Sequence, residues 1–187
     1  MTINAQAAHK LTVARSQLIL SQPFFGMLAL RLRLVERADI KTLAVDGKNV
    51  FYNPDFVLSL TDTLCRSAMA HEVMHCVFDH ITRCGSREPK KWNHAGDYVI
   101  NQLLHDAGFE IGEGWLLDAR YKGMHADEVY SLLPDNPENN GKGQGPLDEM
   151  LPGGDGTSSA ADATEWKIAT IQAAAAAKAV GKLPGSL

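Results

Sequence analysis

Residues 68–80 read AMAHEVMHCVFDH, and this stretch sets more conditions on the fold than any other part of the chain. His71, Glu72 and His75 stand among Ala68, Ala70, Val73, Met74 and Val77, so a helix through them carries imidazole and carboxylate groups into apolar surroundings. An ionisable group taken out of water needs a charged or hydrogen-bonding partner to offset the lost hydration. Residues i and i+4 of a helix project from one face with Cβ atoms about 5–6 Å apart, near enough for two imidazoles to converge on one cation. His71-Glu72-x-x-His75 has that spacing. In such a helix the histidines hold Zn²⁺, and the glutamate between them reaches the water on the metal and acts as general base. Zinc brings the pKa of that water to about 7. One Zn²⁺ per chain is expected. A solvated helix face is the competing reading, and the apolar neighbours argue against it.

Catalytic zinc sites keep a place for water beside three protein ligands, so a third ligand is required. His80 lies five residues beyond His75, about 140° further round a continuing helix, and is expected to point elsewhere as a surface or helix-end residue. Phe78 and Ile81 stand where a glycine turn and a third histidine would be needed for a ligand on the same segment. The segment WNHAGDYVINQLL offers a better source. Asn93, Asp97 and Asn101 form one polar stripe at i, i+4 and i+8 among apolar neighbours. Asp97 is the expected third ligand, with His94 the alternative. Asn101 and Asn93 are expected behind the ligands, where a hydrogen bond orients a ligating imidazole. Tyr98, Tyr121 and His125 have the right chemistry to stabilise an oxyanion or touch substrate, although a core or capping role is the favoured reading of each.

Around this constellation the chain reads as α+β. A helix is expected from residue 4 to about 21, then a half-buried strand where Leu28, Leu30, Leu32 and Leu34 alternate with Ala29, Arg31 and Arg33. TLAVDGKNVFYNP reads as a hairpin about Asp46-Gly47, so a small, mostly antiparallel sheet is expected. Residues 62–83 read as one helix capped by Asp62, about 93–106 as another ended by Gly108, and a short helix begins near His125 and stops before Pro134. Three segments follow: a domain over 1–134, a Gly/Asn/Pro/Asp-rich linker over 135–162, and an alanine-rich helix over 163–187 that closes at Gly181 and packs on the same domain.

A formal charge of −4 and only short basic clusters give no stripe for nucleic acid, which also weighs against a metal-dependent nuclease. No window approaches the roughly 18 apolar residues of a membrane span. The N-terminal residues lack the apolar core of a signal peptide. Cys65, Cys76 and Cys84 form no C-x-x-C pair and suit a reducing compartment, with the cytoplasm as default.

H-E-x-x-H followed by an acid on a second helix resembles the gluzincin and aspzincin zinc peptidases. In gluzincins that helix carries E-x-x-x-D, where this chain has Asp97 and Asn101. PFFG at 23–26, DGKNVFYNP at 46–54, AHEVMH at 70–75, WNHAGDYVIN at 92–101, YKGMHADEVYSLLP at 121–134 and the closing GKLPG resemble, more closely, a family of metallopeptidases that often precede a von Willebrand A-type domain. The resemblance implies a zincin-like, minigluzincin-type fold in which the sheet packs on the N-terminal, H-E-x-x-H and ligand-bearing helices. It implies peptide or protein substrates, and an edge strand at Val50, Phe51, Tyr52 and Asn53 that pairs with them by β-augmentation. It leaves a second role open: a catalytically silent zinc-binding interaction module that works with a von Willebrand A-type or ATPase partner.

Overall fold

Asn4 accepts a hydrogen bond from the Ala7 N–H and so caps α1, Ala5–Ser21, in a computed structural model that describes residues 4–135 and 160–185. Ala7, Leu11, Ala14 and Leu18 recur on one face and are buried. The helix ends at Ser21, but Pro23 starts a new one instead of a strand: α2 spans Pro23–Ala29 with proline at its first turn. This corrects the strand expected from residue 28. Phe24, Phe25, Leu28 and Ala29 fit a helical face, and Leu30 is left exposed, so the alternating leucines never share one sheet face.

Strand β1, Arg33–Glu36, is followed by β2, Leu43–Val45, and β3, Asn49–Tyr52. The expected hairpin forms: β2 and β3 are antiparallel, with Val45 opposite Val50. Asp46 Oδ1 accepts from the N–H groups of Lys48 and Asn49, and Gly47 takes φ 90°, which an L side chain rarely adopts. The sheet order is β1-β3-β2, and β1 runs parallel to β3. The sheet is therefore mixed, not mostly antiparallel. Residues between β1 and β2 carry the chain to the far side of β3, and alternation within a strand contains no information on that choice.

The same order overturns the edge-strand expectation. Val50, Phe51 and Tyr52 lie in the central strand, hydrogen-bonded on both sides, so their backbone has no open edge for a peptide. Asn53 is the N-cap of α3, Pro54–Ser59, and its Nδ2 donates to the Ile40 carbonyl. The sheet's edges are β1 and β2, and β2 packs against the next long helix.

That helix, α4, spans Asp62–Val77 and is capped by the Thr61 side chain, one residue before the expected Asp62. It does not continue to residue 83. Asp79 takes a left-handed φ of 55°, and a separate turn, α5, covers His80–Arg83. Helix α6, Pro89–Asp106, is capped by Glu88 and packs along α4. A short 3-10 turn at Ala119–Tyr121 leads to α7, Ala126–Leu132, where Glu128 returns a hydrogen bond to the His125 N–H. Helix α8, Ala160–Ala179, already includes residues 160–162 that the sequence assigned to a linker; residues 136–159 of that linker lie outside the described residues. Trp166, Ala169, Ala173 and Ala177 of α8 join the main core, and Trp166 Nε1 donates to the Gly47 carbonyl at 2.8 Å. Among the described residues the fold is α+β, with eight α-helices and one three-stranded sheet. No described helix is long and apolar enough to cross a membrane.

Candidate metal centre

Helices α4 and α6 bring His71, His75 and Asp97 to one point. Nε2 of His75 lies 3.0 Å from Nε2 of His71, and Oδ1 of Asp97 lies 3.4 Å from the first imidazole and 3.3 Å from the second in chain order. All three side chains are buried, and they form the one His/Cys/Asp/Glu cluster suited to a metal ion among the described residues. The local reason is periodicity: His71 and His75 are one turn apart on α4, and Asp97 faces them from the neighbouring helix. Neither Asp97 oxygen accepts a hydrogen bond among the described residues. A buried carboxylate facing two imidazole nitrogens is offset by positive charge, which a bound cation or a protonated imidazole supplies.

The donor set fits a tetrahedral divalent cation. Ligand atoms about 2.0–2.1 Å from zinc at tetrahedral angles stand about 3.3–3.4 Å from one another. The distances of 3.3 and 3.4 Å to Asp97 match that spacing, and 3.0 Å between the imidazoles is slightly tighter. Two nitrogens and one carboxylate oxygen also leave a fourth position outside the protein donors.

Asn101 sits one helical turn beyond Asp97. Its Oδ1 lies 2.9 Å from His71 Nδ1, and its Nδ2 donates to the Leu116 carbonyl at 3.0 Å. The second bond fixes which way the amide faces. Nδ1 of His71 then carries the proton, and the Nε2 lone pair is turned toward His75 and Asp97. The Trp115 ring flanks His71 at 6.5 Å between centroids.

Glu72 is wholly buried on α4 between the two histidines. Asn93 is buried on α6, as is His94; the alternative of His94 as ligand is not what the cluster contains. Tyr98 and Tyr121 face each other edge-on at 4.9 Å in a small second core with Ala95 and Val129. Burial, then the charge of Tyr121, raises the Tyr98 phenol. His125 is exposed and ends as the cap of α7. These are packing and capping contacts.

His80 is where the sequence misled. It is buried, not on the surface, and its Nδ1 lies 3.2 Å from Nδ1 of His75. An offset of about 140° holds only for a helix that continues past His75; the left-handed turn at Asp79 folds the next residue back onto the end of α4. An aspartate, one of the residues that tolerate the left-handed region, was the available signal.

Helix pair, mixed sheet and buried His-His-Asp cluster together make an α+β domain whose core contains a cluster that could hold a metal ion. Residues 6–150 match the family model described as "Putative metallopeptidase domain", and the chain belongs to that family. Searches of curated proteins and of solved structures found no match.

Proposed function

We propose that the chain is a zinc-dependent peptidase that hydrolyses peptide bonds with Glu72 as general base. The observation that carries this reading is the triangle of His71, His75 and Asp97 donors, 3.0–3.4 Å on its sides, with Glu72 adjacent in sequence to the first ligand. Membership of a metallopeptidase family supports the reaction class. His71, His75 and Asp97 hold the cation, and Asn101 keeps His71 in the tautomer that presents Nε2. The cation supplies Lewis acidity, which lowers the pKa of water and polarises a carbonyl. Glu72 takes the proton from the attacking water and returns it to the departing amine. The substrate in this reading is a peptide or protein, and three free thiols suit a reducing compartment such as the cytoplasm.

One observation favours a second reading. Glu72, His71 and Asp97 are 0% exposed and His75 2%, so the cluster has the enclosure of a structural metal site. The chain would then be a catalytically silent zinc-binding module for a von Willebrand A-type or ATPase partner. Incubation of the zinc-loaded parent and Glu72→Gln with a denatured protein separates the two. Cleavage by the parent that falls by about 10²–10⁴ in the variant supports the peptidase. A parent that holds zinc and cuts nothing across a broad peptide library supports the silent module.

A further inference from the structure

The geometry points to His80 as a positioning residue that fixes the tautomer and ring orientation of His75 by accepting its Nδ1–H. This inference rests on the metal-centre reading and goes beyond it, because it concerns a residue outside the ligand set and outside the H-E-x-x-H motif.

The two Nδ1 atoms lie 3.2 Å apart, both in buried rings. A hydrogen bond between them contains one proton, so one ring donates and the other accepts. His75 turns Nε2 toward His71 and Asp97, where the lone pair is needed for a ligand. Its proton therefore sits on Nδ1, and His80 accepts it through an unprotonated Nδ1 with its own proton on Nε2. The two ligating histidines thus have different supports: an amide oxygen for His71 and a neutral imidazole for His75. Ligating imidazoles are commonly oriented by a carboxylate, carbonyl or water, and here a second histidine takes that place.

Three features of the chain hold His80 in this pose. Asp79 is the one non-glycine residue with positive φ among the described residues, and its turn brings His80 back against His75. Backbone held in a sparsely populated region is costly and persists where its surroundings determine it. Trp92 on α6 donates from Nε1 to the His80 carbonyl at 2.8 Å and packs its ring edge-on at 5.6 Å. Gly96, the residue before Asp97, supplies the space: a Cβ there would stand 2.7 Å from His80 Nδ1 and 3.3 Å from His75 Cε1. A glycine inside a helix is unfavourable relative to alanine, and at Gly96 it admits the histidine pair.

The test compares zinc affinity, by chelator competition, in the parent, His80→Leu, His80→Asn and His80→Gln, each checked for folding without metal. Asparagine places an amide atom where histidine has Nδ1, and glutamine places one where it has Nε2. His80→Leu and His80→Gln should bind zinc about 10–100-fold more weakly, with His80→Asn within a few-fold of the parent. In the zinc-loaded parent, ¹⁵N resonances should show His75 protonated at Nδ1 and His80 unprotonated there, a signature that mere packing would not produce. Parent-like affinity in His80→Leu, equal affinities of the Asn and Gln variants, or a proton on His80 Nδ1 would overturn the assignment. Should His80→Leu fail to fold, the Asn–Gln pair and the resonances still decide. His75→Ala separates the two levels: if it too binds zinc as the parent does, the metal centre fails first; if it loses zinc while the His80 variants do not, this assignment alone fails.

Discussion

Asn101 stands between His71 and the Leu116 carbonyl, with its oxygen 2.9 Å from the imidazole Nδ1 and its nitrogen 3.0 Å from the carbonyl oxygen. One amide thereby links His71 on α4 to the loop after α6. Asn101→Leu should weaken metal binding about 10–100-fold, whereas Asn101→Asp, which keeps an acceptor for His71 but loses the donor to the Leu116 carbonyl, should lose less. Chelator competition on both variants measures this, and equal losses would show that the side chain serves only to fill space.

Gly96→Ala should destabilise the fold, the reverse of the usual outcome for glycine in a helix. The added methyl meets His80 Nδ1 at 2.7 Å, and overpacking of this kind costs about 1–3 kcal/mol. Urea unfolding of the metal-free protein gives the sign directly. A gain in stability would mean that His80 can leave its place without penalty.

Trp166→Ala tests whether α8 belongs to the same folding unit as the metal centre. The indole is 6% exposed, donates to the Gly47 carbonyl and lies under the Arg31 guanidinium. Removing a buried tryptophan costs about 3–5 kcal/mol, so the whole unfolding transition should shift as one. A loss of α8 helicity alone, with the remainder unfolding at the parent's denaturant concentration, would contradict this.

Burial pushes the Cys65 thiol from an ordinary value near 9 up to about 11. The folded state favours the protonated thiol, so its contribution is fully present below about pH 9 and is lost as pH rises toward 11. Across that window the unfolded chain, whose thiol ionises freely, gains about 1.4 kcal/mol for each step of one in pH. Thermal unfolding of the parent should fall more steeply between pH 9 and 11 than that of Cys65→Ala, where this ionisation is gone. Parallel profiles would place the thiol's ionisation at its ordinary value.

The pairing of polar residues on each helix was legible from helical spacing, whereas the meeting of the two faces comes from the packing of α4 on α6. His71 and His75 are i and i+4, and so are Asp97 and Asn101 on the facing helix; once both segments are helical, each pair must share a face. His80 was not legible in the same way. Its place depends on a single left-handed residue, Asp79, which breaks the extrapolation from one helix. Gly96 was silent for a related reason: what a glycine makes room for is a property of the packed pair of helices. In the sheet, local turn chemistry revealed the β2–β3 hairpin through Asp46 and Gly47, but the parallel pairing of Arg33–Glu36 with Asn49–Tyr52 is a non-local choice. The leucines at 28, 30, 32 and 34 alternate as a strand would, but Pro23 with the two phenylalanines starts a helix that ends at Ala29, and only Leu34 of the four lies in β1.

Metal content is the most direct measure of the central claim, that His71, His75 and Asp97 together bind one cation. After dialysis against trace zinc, the parent and Glu72→Gln should each retain about one equivalent, while His75→Ala and Asp97→Ala should retain almost none. Asp97→Ala that holds zinc with the parent's stoichiometry and affinity would contradict the account.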